Sequence, residues 1–172
     1  VAFTDALNVC ETRPSRTLRL LVNSENSFKV SMARQIAAAF TAAGAATETV
    51  ELPWEEYTAA LTAGRFDLYY GEVRLTADWD VSSLLATGGS LNYGGWSDPQ
   101  CDQLLEGCRS GGNREAAFRG LCRYLQSQAP ILPICFKTVS TLYESDVLEG
   151  LTPTAAEPFY GLENISIHLR AN

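Results

Sequence analysis

Two aspartates flank a tryptophan in Arg74-Leu75-Thr76-Ala77-Asp78-Trp79-Asp80, and this is the stretch whose residue types and spacing best suit chemistry. A carboxylate held beside an aromatic ring in a water-poor cleft binds an ammonium through a charge-assisted hydrogen bond and a cation–π contact. Asp80 stands directly before the apolar run Val81-Ser82-Ser83-Leu84-Leu85, which suits a helix cap. That leaves Asp78 as the better ligand candidate, with a structural role still open to it. Tyr93 and Trp96 lie further along the same polar-aromatic stretch and add rings to the candidate site.

Other chemistries have little support. The sequence contains no G-x-G-x-x-G, G-x-x-x-x-G-K-[ST], G-x-S-x-G or H-E-x-x-H pattern. The single histidine, His168, falls in an alternating segment, where an edge-strand position with the ring half in water is expected. The acidic pairs Glu55-Glu56 and Glu48/Glu51 occupy helix-start or exposed strand positions, where they suit the helix dipole or solvate a face. Five cysteines, Cys10, Cys101, Cys108, Cys122 and Cys135, show no C-x-x-C spacing, so a zinc ribbon or thioredoxin motif is not expected. Cys101, Leu104, Leu105 and Cys108 form one helical stripe, which reads as small buried hydrophobes. A disulfide such as Cys122 to Cys135 is the competing arrangement. No metal, cofactor or catalytic residue is expected.

The 172 residues, 46% hydrophobic and 19% charged, suffice for a filled core, and the net charge of −7 disfavours nucleic acid and anionic lipid as partners. No run of about 18 apolar residues and no signal-like start occurs, so the chain is expected either to stay where it is made or to be a piece of something longer.

The elements that must position the loop precede it. Thr17 to Asn23 reads as a covered strand, with N-cap candidates from Ser24 to Ser27. Phe28, Met32, Ile36 and Phe40, with Ala33 and Ala37, predict a helix that Gly44 ends. Thr47 to Leu52 reads as a half-exposed strand, Trp54 to Ala63 as a helix behind Pro53, and Phe66 to Val73 as a third strand. This β-α-β-α-β order implies parallel strands joined by right-handed crossovers. The loop Arg74 to Trp96 follows the third strand, where α/β proteins usually place ligands. Two helices are expected next, one from Pro99 to Cys108 and one over Arg114 to Gln128, capped by Asn113, with Ala117, Phe118, Leu121, Cys122 and Leu125 as the apolar face of the second. Ile131 to Phe136, Val139 to Tyr143 and Ile165 to Leu169 read as strands.

Four of these stretches resemble the extracellular solute-binding proteins of family 5, the oligopeptide, dipeptide and nickel receptors of bacterial ABC importers. Tyr57-Thr-Ala-Ala-Leu61-Thr-Ala-Gly64-Arg-Phe66-Asp67-Leu68 is similar to the family's Tyr, Leu, Gly and aromatic-Asp pattern leading into a strand. Trp96-Ser-Asp-Pro-Gln-Cys-Asp102-Gln-Leu-Leu105 is similar to its Tyr-Ser-Asn-Pro-Glu-x-Asp-x-Leu-Leu helix start. Ala129-Pro130-Ile-Leu-Pro133-Ile resembles its Ala-Pro-x-x-Pro segment, and Ala77-Asp78-Trp79 resembles the Ala-Asp-Tyr of its binding loop.

The resemblance implies an α/β, periplasmic-binding-protein-like (type II) lobe, a mostly parallel sheet with helices on both faces. It implies a linker over 1–16, a solute-binding lobe over 17–147 and a return segment over 148–172 toward a first lobe that lies outside this chain. By resemblance Asp78 pairs with a peptide's amino terminus, with Ala77 and Trp79 beside it. Where the family has Gly-Trp, this chain has Gly71 to Thr76, which makes Glu72 and Arg74 candidates to complement another charged group. The implied function is non-catalytic capture of a peptide or similar small solute for an ABC permease, in an extracellular, lipid-anchored receptor. Two alternatives stand beside it: an intracellular doubly wound enzyme using Cys135 or Cys101 with His168, and an interaction domain that pairs its tail strand with a partner.

Overall fold

The computed structural model describes residues 15–76, 78–110, 112–136, 142–144, 146–154 and 157–168. It divides into a first unit that ends at Val73 and includes Tyr93–Gly95, and a second that takes Arg74–Asn92 and the chain from Trp96 onward.

In the first unit, β1 (Leu18–Asn23) lies between β2 (Thr47–Leu52) and β3 (Leu68–Tyr70), and both pairings are parallel. The β1-to-β2 and β2-to-β3 crossovers run in opposite directions across the sheet, so right-handed connections put their helices on opposite faces. Alternation along β1 agrees with this. Leu20 and Val22 pack with Val30, Ala33 and Ala37 of α1 (Ser27–Ala42), whereas Leu21 packs with Tyr57, Ala60 and Leu61 of α2 (Trp54–Thr62). Each of the three β1 residues is at most 3% exposed, and burying such a side chain contributes about 1.5–3 kcal/mol. The α/β reading, with helices on both faces, therefore holds.

Asn26 caps α1, its Oδ1 accepting from the Lys29 amide at 3.0 Å, and Gly44 follows the helix at φ +94. The buried stripe of α1 is not the one the large residues suggest. Val30, Ala33 and Ala37 face the sheet, Ile36 packs beside them, and Phe28 is 54% exposed. Small side chains let the helix axis approach the sheet, and that closeness places Phe28 outside the contact. β3 is also shorter than its apolar run. The Tyr57 hydroxyl donates to the Tyr70 carbonyl at 3.0 Å and so occupies an acceptor at the strand's end. At its other end Asp67 is held by side chains: its carboxylate takes both guanidinium nitrogens of Arg16 and the Arg19 amide.

The second unit is mainly helical, with α3 (Ser82–Leu85), α4 (Pro99–Ser110) and α5 (Arg114–Gln128) around Leu85, Cys101, Leu105 and Leu121. Asp98 Oδ1 accepts from the Cys101 amide at 2.7 Å, and Asn113 Oδ1 from Ala116 at 3.1 Å, so both long helices begin where their caps predict. The apolar face of α5 needs correction. A Cβ added to Gly120 would lie 3.4 Å from Leu104 Cδ2, and one on Gly107 3.6 Å from Ala117 Cβ. The helices meet along these small residues and Leu121, which leaves Phe118 38% exposed and Cys122 exposed.

Residues 131–136 form no strand. Pro133 has no N–H to donate, and Ile131, Leu132, Ile134 and Phe136 are all exposed. Of the expected strand Val139 to Tyr143, residues 139–141 lie outside the described set, and Leu142 and Tyr143 are exposed and in no strand. The tail forms a short antiparallel ribbon in which β4 (Leu148–Glu149) pairs with β5 (Ser166–Ile167), shorter than the expected Ile165 to Leu169. Among the four described cysteines all are free, so the Cys122–Cys135 bridge does not form. Cys101 is buried and Cys108 half-buried, as the helical stripe requires, but Cys122 and Cys135 are exposed.

Candidate functional site

The loop that joins the two units carries Asp78. Its turn closes through the Trp79 amide, which donates to the Thr76 carbonyl at 3.0 Å, and Trp79 adopts φ +58. A non-glycine residue in that left-handed region is uncommon and costs of order 1 kcal/mol. The turn leaves Asp78 exposed and Trp79 51% exposed. The Thr76 hydroxyl, hydrogen-bonded to the Asp78 carboxylate, holds its pKa below the ordinary value, against the opposing charge of Asp80. Asp78 is thus an exposed, fully ionised anion next to an exposed indole.

Asp80 does the structural work expected of it. Its Oδ1 accepts from the Ser82 amide at 2.8 Å, at the start of α3. The Ser82 side chain and amide lower its pKa, and the nearby Arg109 charge adds to the effect. The space beneath this loop, lined by Asp78 to Val81 together with Cys108, Arg109, Arg114, Phe118 and others of α4 and α5, measures only about 20 Å³. That is room for about one water, whereas small-molecule sites occupy roughly 300–1,000 Å³. A small molecule does not fit in that space; on the outer surface of the loop Trp79 meets Phe136, ring centroids 5.3 Å apart and planes at 69°.

The remaining expected residues are placed as follows. Ala77 lies outside the described residues. Arg74 is exposed at the start of the second unit. Glu72 belongs to the first unit, where its Oε2 lies 2.8 Å from Lys29 Nζ, a side chain only 16% exposed. Tyr93 also belongs there. It packs on the cluster around Leu21 and meets Tyr69 edge-on, with centroids 6.1 Å apart. Trp96 is half-buried in the second unit. Asn92 grips its main chain, Nδ2 donating to the Trp96 carbonyl at 2.6 Å and Oδ1 accepting from its amide at 2.9 Å. Its indole N–H is buried and faces the Cys101 thiol. Asp78 and Trp79 are thus adjacent on one exposed surface, with Thr76 and Phe136 joining them. Phe136 gave no sequence signal, because its segment reads as a strand and its contact with Trp79 is far apart in the chain.

The thiols and the histidine complete the chemistry. Burial pushes the Cys101 and Cys108 thiols up, away from thiolate reactivity. His168 falls just past the end of β5, outside the strand expected for it, with its side chain 57% exposed and Nε2 3.1 Å from Glu149 Oε2. Among the described residues no group of His, Cys, Asp and Glu can hold a metal ion, and no helix is long and apolar enough to cross a membrane.

This arrangement is an α/β fold of the periplasmic-binding-protein kind, and comparison with solved structures bears that out. The murein tripeptide binding protein MppA of Escherichia coli aligns with 66% of this chain at TM-score 0.57 and 22% identity. OppA of Haemophilus influenzae, in complex with the peptide RPPGFSPFR, aligns with 88% at TM-score 0.63 and 19% identity. NikZ of Campylobacter jejuni, in complex with Ni(L-His), aligns with 63% at TM-score 0.53 and 16% identity. The alignments cover 23%, 31% and 24% of those three proteins, so this chain spans at most about a third of their length. No protein-family model matches the sequence, and no curated protein matches it.

Proposed function

We propose that this chain is one lobe of an extracellular solute-binding receptor, a member of family 5, that captures a peptide or similar small solute for an ABC importer without catalysing a reaction. The observation that carries the reading is the exposed, ionised Asp78 beside the exposed Trp79, on a fold shared with proteins solved with peptides. Asp78 pairs with the solute's ammonium, and Trp79 covers its apolar part. Arg74 and Glu72 complement further charge, with Tyr93 and Trp96 as additional aromatic contacts.

In this reading 1–16 is a linker, 17–147 the lobe and 148–172 a return segment. The exposure of Phe159, Tyr160, Leu162 and Ile167, between 50% and 68%, supports that assignment, because a first lobe covering them would remove apolar surface from water. The partners are that lobe and a membrane permease, and the receptor is lipid-anchored outside the cell. Of the two thiols the enzyme alternative invokes, Cys101 is buried and pushed up, which disfavours it as a nucleophile.

Isothermal titration of the full-length receptor with a short peptide, with and without N-terminal acetylation, tests the assignment. Acetylation and Asp78→Asn should each weaken binding by at least 30-fold, the scale of losing a charge-assisted pair. Equal affinity for blocked and free peptides would exclude the ammonium role.

A further inference from the structure

The outer face of α5 carries a feature that the solute site does not use. An open surface runs along this helix, formed by Arg114, Glu115, Phe118, Arg119, Cys122 and Arg123. Its charge is one-sided: three of these six residues are arginines, Arg114, Arg119 and Arg123, against one acid, Glu115, although the whole protein carries −7. Arg119 pairs with Glu115 at 2.6 Å, both side chains at least 70% exposed, so the pair is weakly held and open to exchange. Phe118, which the sequence assigns to the core, lies partly exposed among the arginines.

Arginine and aromatic side chains are the residues that dominate binding energy at protein interfaces, and the guanidinium fork takes carboxylates two bonds at a time. We infer that this face of α5 is where the receptor docks on its permease, through a permease segment that presents carboxylates around an apolar side chain. The inference rests on the reading of the protein as an importer's receptor. A lipid surface fits less well, since polybasic lipid sites use clusters of four to eight cations, whereas this face has three around an apolar centre.

Position gives the docking face a second property. Arg114 and Phe118 also line the small cavity beneath the Asp78–Val81 loop, so the docking face borders the space under that loop. A permease bound to α5 thus touches the residues on which the solute-bearing turn rests.

The test uses the full-length receptor and its permease in nanodiscs of neutral lipid, with docking followed by biolayer interferometry and solute affinity by calorimetry. Arg119→Glu/Arg123→Glu should weaken docking at least tenfold and leave solute affinity within twofold. The milder Arg119→Gln/Arg123→Gln should weaken it severalfold at an unchanged melting temperature, and wild-type docking should weaken as sodium chloride is raised. Docking within twofold of wild type for both variants would overturn the proposal. Equal binding of wild type to phosphatidylglycerol vesicles lacking permease, lost in the variants, would assign the face to lipid and also overturn it. Failure of the wild type to bind any solute is a separate readout and rejects the receptor reading itself.

Discussion

The indole of Trp79 and the ring of Phe136 meet edge to face at 5.3 Å, yet both remain largely in water, 51% and 72% exposed. Such a pair contributes about 0.5–1.5 kcal/mol beyond its buried area. A double-mutant cycle with Trp79→Ala and Phe136→Ala, measured by urea unfolding, should return a coupling of about 0.5–1 kcal/mol. In the full-length receptor, Phe136→Ala should weaken solute binding about fivefold, while strictly additive stability effects would show the two rings to be independent.

Asp78 supplies a pH test. Thr76 holds its pKa below the ordinary value, so the carboxylate keeps its charge down through the range where a free aspartate begins to protonate. Affinity for an amino-terminated peptide should stay flat from about pH 7 to 5. Thr76→Val removes the hydroxyl, so loss of affinity should begin at a higher pH, and titration calorimetry at several pH values reads the difference.

Asp67 ties the start of β3 to Arg16 and to β1, and these hydrogen bonds bring its pKa down to about 2. A folded-state pKa below the unfolded one stabilises the protein above the unfolded value, near 4, and the benefit disappears as pH falls toward 2. Asp67→Asn should therefore cost about 1 kcal/mol at pH 7, and melting curves of the two proteins should converge on acidification. A constant gap down to pH 2 would show that charge plays no part.

The thiols should divide by exposure. Cys122 and Cys135 are exposed, Cys101 is fully buried, and burial raises Cys101 and Cys108. Alkylation of the native protein at neutral pH should modify Cys122 and Cys135 within minutes and leave Cys101 intact until denaturant is added, as read by peptide mass spectrometry.

Much of this was legible in the sequence where the determinants are local. Asn113, Asp98 and Gly44 mark helix ends through side-chain or backbone geometry confined to a few residues, and each marks its helix as expected. The parallel sheet follows from the alternation of elements. What failed depends on partners distant in sequence. The choice of Ala33 and Ala37 over Phe28 as the buried stripe is made by the sheet, and the exposure of Phe118 by the close approach of α4 at Gly120. Ile131 to Phe136 has the composition of a strand but pairs with no strand among the described residues. At the site, Asp78 and Trp79 were readable because one turn holds them both, whereas Phe136 joins them only through the fold.

The place of β1 in the middle of its sheet also governs the order in which the chain can fold. Leu20, Leu21 and Val22 are among the earliest of the described residues to be synthesised, yet they need β2 on one side, β3 on the other and a helix on each face. The pairing with β3 is not complete until the ribosome has released Tyr70. For that interval the nascent chain carries a strand with the apolar run Leu20 to Val22 and one edge open, a state prone to wrong pairing. A translating chain halted near Gly64 should be a chaperone client, and one halted well beyond Tyr70 should not.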